Sequence, residues 1–147
     1  MSNGEVRDFQ ADLRIDRNNL QEEVASQPSL YAYWAARAEE AEHNLEHLKL
    51  QTEIMSANLD KEARAAFNAE GKEKPTIEQI ANRIKRDPRW QAQQNALLEA
   101  KRQLGICRAA ERACYQRKDM LWCLVQLQNR EYGHQLAIRK EQVGREG

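Results

Sequence analysis

The sequence has few of the residues that interrupt helices or stack in a large core. Its 147 residues include three prolines and six glycines, and aromatic residues make up only 6%. No stretch approaches the roughly 20 apolar residues of a membrane-spanning helix, and the first residues contain no apolar run typical of a secretory signal. These absences favour a helical, soluble, cytoplasmic protein over a membrane or secreted one.

Cysteine is also scarce and odd in number. Cys107, Cys114 and Cys123 fall on one predicted helix. Cys107 and Cys114 would lie about 10 Å apart along it, which is too far for a disulfide within one chain. Their spacing matches no zinc motif. We expect apolar packing roles for all three, with no metal and no cofactor.

Residues that favour long helices dominate instead, chiefly Ala, Glu, Gln, Arg, Leu and Lys. The mean hydropathy of −0.90 is low for a compact monomer. We therefore expect a thin helical assembly that buries its apolar stripes against other copies.

The chain is expected to form one helical domain, in which breakers and capping residues mark the ends of the helices. Asp16 is a candidate cap for a short helix over residues 17–26, and Gln27-Pro28 is expected to break the chain. Thr76 and Gln79 form a capping box, and Asp87-Pro88 starts the last long helix, predicted to end near Tyr132. The expected segments are a flexible N-terminus (1–15), an acidic first arm (16–67), a loop (68–75), a basic second arm (76–132) and a flexible tail (133–147).

Two apolar stripes predict a long antiparallel helical hairpin. In the first arm, apolar and small residues recur in alternating steps of three and four from Tyr31 to Ala66. In the second arm, Leu97, Ala100 and Leu104 begin a similar stripe that continues to Val125. The fold class is therefore all-α, with short extra helices beside the hairpin.

The second arm becomes apolar around most of its circumference near its end. This apolar patch consists of Met120, Leu121, Trp122, Leu124, Val125 and Leu127. A helix that is apolar on several faces needs neighbours on more than one side. We expect it to be the main self-association segment.

Charge is strongly polarised along the chain. Residues 1–70 carry a net charge of −7, and residues 71–147 carry +7. The densest basic cluster lies at residues 82–90, where phosphates could meet cations and an unpaired base could stack on an indole; its members are Arg83, Lys85, Arg86, Arg89 and Trp90. The alternative is that Trp90 packs inside the bend while the arginines form solvated ion pairs. A second basic stripe, Lys101, Arg108 and Arg112, lies close to Tyr115.

Catalytic constellations are lacking. His43 and His47 have a spacing that can ligate a metal, but their surroundings indicate a hydrated helical face. No glycine-rich phosphate loop and no nucleophile–base pair is present. We expect a protein that is not an enzyme.

The order and spacing of short blocks along residues 15–132 resemble UvsY-type recombination mediators of tailed bacteriophages. The matching residues are Ile15-Asp16, Leu20, Glu23, Leu30-Tyr31-Ala32-Tyr33-Trp34, Leu59, Arg64, Lys74-Pro75-Thr76, Ile80, Asp87-Pro88, Leu98, Ala110, Arg117-Lys118, Leu121, Leu124-Val125, Leu127 and Tyr132.

The resemblance implies a non-enzymatic, ring-forming homo-oligomer that acts in the host bacterial cytoplasm. It would bind single-stranded DNA without sequence preference and load a RecA-like recombinase in place of single-strand binding protein. The resemblance assigns DNA binding to Lys61, Arg64 and Phe67, and oligomerisation to the C-terminal helix. Glu62 departs from the family, whose best-known member has a lysine there, and this shifts weight to the cluster at 82–90.

Two other functions fit the same pattern of helices. One is a structural coiled-coil phage protein, a scaffold or assembly chaperone, that self-associates without binding DNA. The other is a small regulatory adaptor whose hairpin binds one protein target. Salt-dependent binding to oligonucleotides would distinguish the mediator from both.

Overall fold

The computed structural model describes residues 7–72 and 74–145, and within them it contains helices and no strand. The helices are α1 (Phe9–Asp12), α2 (Leu20–Ala69), α3 (Ile77–Arg86) and α4 (Pro88–Arg145). α2 packs against α4, which confirms the predicted all-α helical hairpin. Across the described residues, no helix has the length and apolarity that crossing a membrane requires.

α2 is one continuous helix through Pro28, so the predicted break at Gln27-Pro28 is wrong. A proline inside a helix loses a backbone hydrogen bond and costs about 3 kcal/mol. Buried hydrogen bonds beside it offset part of this cost: Gln27 is buried, its Nε2 donates to the carbonyl oxygen of Cys114 at 2.7 Å, and its Oε1 accepts from Arg117 at 2.7 Å. The start was also placed too early, because Asp16 caps a turn at Asn18 and the helix begins at Leu20.

The ends of α2 and α3 follow their local sequence. After Ala69 the chain turns at Gly71, whose φ of 81° suits glycine. The Lys72 N–H donates to the Phe67 carbonyl at 2.9 Å across this turn. The predicted capping box between Thr76 and Gln79 is confirmed, since each side chain bonds the other's backbone N–H. The predicted break at Asp87-Pro88 is confirmed as well.

α4 runs to Arg145, so its predicted end near Tyr132 is wrong. A single glycine such as Gly133 costs a helix only about 1 kcal/mol, and no proline follows it. The predicted flexible tail is therefore helical as far as residue 145, and residues 146–147 lie outside the described part. Of the predicted flexible N-terminus, residues 1–6 also lie outside it, and Phe9–Asp12 forms α1.

The chain divides into two compact units, each containing a stretch of both long helices. The loop unit comprises Arg37–Cys107. Its core joins Leu45 of α2 to Ala100 and Leu104 of α4, with Ala41, Leu48 and Leu97 packed around them. Gln93 of α4 adds a polar link, because its Nε2 donates to the Leu48 carbonyl at 3.2 Å and to Thr52 Oγ1 at 3.0 Å.

The terminal unit comprises residues 7–36 and 108–145. Trp34, Ala110, Cys114 and Leu121 are buried in it. α1 is held by Trp34, whose Nε1 donates to Asp12 at 3.0 Å and whose ring meets Phe9 edge-on. All three cysteines are free thiols: Cys114 is buried here, Cys107 is half-buried in the loop unit, and burial raises the pKa of both, whereas Cys123 is exposed, so the packing role predicted for it is wrong.

Arg117 is the buried charge that connects the elements of the terminal unit. Its guanidinium donates to Gln27 Oε1, to the Arg14 carbonyl at 2.9 Å and to the Glu23 carboxylate. Glu23 in turn accepts the Asp16 N–H at 2.9 Å. One cation thus attaches α4 both to α2 and to the segment between α1 and α2.

We predict that Glu23→Gln destabilises the fold in a pH-dependent way. The Asp16 N–H first, and Arg117 second, hold the pKa of Glu23 below its ordinary value. Because the folded pKa lies below the unfolded value of about 4.3, the stabilisation is present above that pH and is lost as pH falls through the folded pKa. Urea unfolding should show a deficit of about 1–2 kcal/mol at pH 7 that shrinks below pH 4. An equal deficit at pH 3 and pH 7 would contradict this account.

Candidate nucleic-acid interface at the end of the first long helix

All eight predicted DNA-binding residues lie in the loop unit, on three consecutive helices. α2 carries Lys61, Arg64 and Phe67 in its last turns, and α3 carries Arg83, Lys85 and Arg86. Arg89 and Trp90 belong to the first turn of α4. The two groups of residues, one assigned by resemblance and one by composition, therefore belong to the same compact unit.

Phe67 and Arg83 form a direct contact between the two groups. The guanidinium carbon of Arg83 lies 5.0 Å from the centroid of the Phe67 ring, and Lys72 Nζ lies 5.9 Å from it. Such distances are typical of cation–π attraction. Arg83 also pairs with Glu70 at 2.9 Å. Stacking of a base on this ring face requires the Arg83 side chain to move aside.

Arg89 is exposed and forms ion pairs with two carboxylates. Its Nη2 lies 2.6 Å from Glu62 and 2.9 Å from Asp87. Its hydrogen bonds lower the pKa of Glu62 and of Asp87, and these carboxylates raise the pKa of Arg89. Glu62, where the chain differs from the mediators that it resembles, is thus the partner of a cation in the predicted cluster.

Arg64 is paired too, with Asp60 one turn away at 2.8 Å, and this contact raises the pKa of Arg64. Three of the predicted arginines, Arg64, Arg83 and Arg89, therefore form exposed ion pairs, and for Arg83 and Arg89 the alternative interpretation of the cluster at 82–90 expected this. Trp90 is half-buried. Exposed pairs of this kind contribute little to stability and exchange partners readily.

The remaining cations of the site are open. Lys61, Lys85 and Arg86 are exposed, and no carboxylate of the described chain lies within ion-pair distance of them. A groove of about 230 Å³ lies nearby, with apolar lining from Leu59, Ala63, Ala66 and Ile84 and charged lining from Glu62, Arg83 and Asp87. Lys72, whose Nζ lies near the Phe67 ring, is a cation of this site that sequence reasoning missed. The turn expected at Gly71 places Lys72 next to the end of α2, and this position could have identified it.

The apolar patch lies in the terminal unit, and its six residues divide by exposure. Leu121 is buried, Leu124 and Val125 are half-buried, and Met120, Trp122 and Leu127 are exposed. An apolar groove of about 310 Å³ lies beside it, lined by Val24, Gln27, Pro28, Lys118, Leu121, Trp122 and Val125. Beyond the predicted helix end, α4 also exposes three large apolar residues that sequence reasoning missed: Leu136, Ile138 and Val143.

Three of the other polar residues singled out from the sequence, His47, Arg112 and Tyr115, have local partners. His47 Nε2 lies 3.0 Å from the Gln51 amide. Within the described ranges, no group of three His, Cys, Asp or Glu side chains is arranged to hold a metal ion. In the second basic stripe, Arg112 donates to the Arg108 carbonyl at 3.3 Å. Tyr115, close to that stripe, is covered by Lys118 Nζ at 4.2 Å.

Comparison with known proteins adds no assignment: no family model, no curated protein and no solved structure matches this chain. The geometry of the site therefore carries the functional argument together with the resemblance in residue order.

We predict that Glu62→Gln strengthens binding to a polyanion, because it frees Arg89 from one of its two carboxylates. On a heparin column the variant should elute at a higher salt concentration than the wild type. Glu22→Gln is the matched control, since Glu22 is exposed on the same helix and its replacement changes the net charge equally. Equal elution of the two variants would show that net charge, and not release of Arg89, determines the retention.

Proposed function

We propose that the chain is a recombination mediator that binds single-stranded DNA without sequence preference and promotes loading of a RecA-like recombinase in place of single-strand binding protein. The observation that carries the proposal is the group of open cations, Lys61, Lys85 and Arg86, beside exposed ion pairs and an aromatic ring in one unit. The order of matching residues along the chain supports the same class.

The cations divide into two kinds on this proposal. Lys85 and Arg86 meet phosphates directly, because no carboxylate of the described residues has to be displaced. Arg83 exchanges Glu70 for phosphate, Arg64 exchanges Asp60, and Arg89 exchanges Glu62 while it keeps Asp87. When Arg83 moves to a phosphate, the Phe67 ring becomes available to a base.

Binding without sequence preference follows from the chemistry of this surface. Lys and Arg side chains at a phosphate carry no base information, and stacking on an aromatic ring accepts every base. One copy offers only a few such contacts, so its affinity alone is modest. Several copies in one assembly multiply the contacts and make the binding tight and salt-sensitive.

Self-association is the second part of the proposal. Trp122 is exposed and lines an apolar groove, and Met120 and Leu127 are exposed on the other flank of buried Leu121, so the helix has apolar side chains for neighbours on two sides. We assign this patch to a homo-oligomeric ring. The further partners are the recombinase and single-strand binding protein, and the site of action is the cytoplasm of the host bacterium.

The proposal predicts salt-dependent binding that Lys85→Glu/Arg86→Glu removes. Fluorescence anisotropy of a labelled single-stranded oligonucleotide, measured from about 50 to 200 mM salt, should give a falling affinity for the wild type. The variant should bind at least about tenfold more weakly at the lowest salt, because two phosphate contacts are replaced by repulsion.

The matched control is Arg139→Glu/Lys140→Glu, an adjacent exposed pair on α4 with the same change in net charge. It should retain wild-type affinity within about twofold if local contacts, and not net charge, hold the DNA. A wild type with no salt-dependent affinity would refute the mediator. That result would favour the structural coiled-coil alternative, which the ion pairs of Arg64, Arg83 and Arg89 already suit.

A further inference from the structure

The outward face of α2 in the loop unit carries a second apolar seam that no described residue covers. Leu50 and Ile54 are 55% and 57% exposed, on the side of the helix opposite the buried Leu45 and Leu59. Alternating steps of four and three residues define this outer seam, as in a coiled coil. Its members, all exposed, are His43, His47, Leu50, Ile54 and Ala57.

The two flanks of the outer seam differ in charge. Glu46, Glu53 and Asp60 follow one another at intervals of seven along one side. The other side carries the neutral amides Asn44, Gln51 and Asn58. In helix pairs, charges flanking the seam select the partner and its orientation. Glu46 and Asp60 already pair with Lys49 and Arg64 on their own helix, so Glu53 is the carboxylate of this flank that a basic side chain of another helix would meet.

The outward face of α4 in the same unit has that chemistry. Leu98 is 64% exposed, and Lys101 is exposed one turn further along. Gly105 follows, also exposed, and a Cβ added there would meet no atom within 4 Å. Glycine weakens a helix interior relative to alanine, and nothing in the described chain requires it here. Close approach of another helix is the use that a bare glycine serves on such a face.

We propose that the outer seam of α2 in one copy binds the outward face of α4 in a second copy. With the two helices antiparallel and Leu50 opposite Gly105, the shared spacing of seven residues places Ala57 opposite Leu98. Large residues then meet small ones at both positions, which allows close packing. The same register sets Lys101 opposite Ile54, so that the lysine stem covers the apolar side chain while its ammonium reaches the neighbouring Glu53 on the acidic flank.

The arrangement extends the assembly beyond a pair. The two surfaces differ and belong to one unit, so every copy offers both at once. Such head-to-tail contacts generate closed rings, or filaments where the rotation does not close. The proposal rests on the self-association part of the proposed function and not on DNA binding. It adds an interface in the loop unit to the apolar patch of the terminal unit.

A charge-swap cycle on the full chain tests the pairing of Glu53 with Lys101. Glu53→Lys and Lys101→Glu should each raise the dissociation constant of the assembly about tenfold at low salt, since each places like charges together. The double variant Glu53→Lys/Lys101→Glu should return to within about threefold of the wild type, because the pair is restored with reversed signs. Analytical ultracentrifugation across a concentration series measures this, and circular dichroism checks helicity.

Gly105→Phe provides a second measurement, because its side chain enters open space within its own unit but blocks the approach of another helix. It should leave the helicity unchanged and lower the assembled fraction, whereas Glu22→Lys, the control, should lower neither. A wild type that stays monomeric, single variants that assemble like the wild type, or a double variant that shows the sum of both losses would overturn the proposal. Oligonucleotide affinity of Lys85→Glu/Arg86→Glu is measured separately, so either proposal can fail without the other.

Discussion

The seam between α2 and α4 is the interaction on which the rest of the structure depends. Isolated helices of such polar composition are marginal in water, and most of their stability must come from tertiary packing. In the loop unit the seam buries Leu45, Ala100 and Leu104. The seam fixes which side of each helix faces inward and therefore which side chains remain exposed. Lys61, Leu50 and Leu98 are exposed because they lie on the sides that face away from the seam.

Polar contacts fix the register of α2 against α4, which apolar packing alone does not specify. Gln93 reaches across to Leu48 and Thr52 in the loop unit, and Arg117 reaches Gln27 and Glu23 in the terminal unit. Buried polar groups are costly unless their hydrogen bonds are made. A slip of either helix would break these bonds, so they favour a single alignment in each unit.

Local signals made much of the fold predictable from the sequence. The capping box at Thr76, the stop at Asp87-Pro88 and the two stripes each depend on residues close in the chain. The helix boundaries were wrong where contacts distant in sequence, or a small helix-breaking cost, determine how far the helix extends. Pro28 stays inside α2 beside Gln27, whose partners lie on α4, and Gly133 is too weak a breaker to end α4.

The sequence predicted which residues belong to the candidate site but not which ion pairs they form. Residue type and spacing located Arg89 and Trp90 near the start of α4. Arg89 and Glu62 are 27 residues apart in sequence, and their ion pair depends on contact between two helices. The opposite charges of the two chain halves are partly neutralised in this way, through Arg83 with Glu70 as well. The few cations left open, and not the overall charge split, are therefore the groups available to a polyanion.

The mediator assignment is tested most directly by recombinase activity on coated DNA. The measurement is the time course of DNA-dependent ATP hydrolysis by the RecA-like recombinase of the same source, on single-stranded DNA first saturated with single-strand binding protein. The account predicts that adding this chain shortens the lag before steady hydrolysis and that Lys85→Glu/Arg86→Glu fails to do so. An unchanged lag at saturating amounts of the wild-type chain would contradict it.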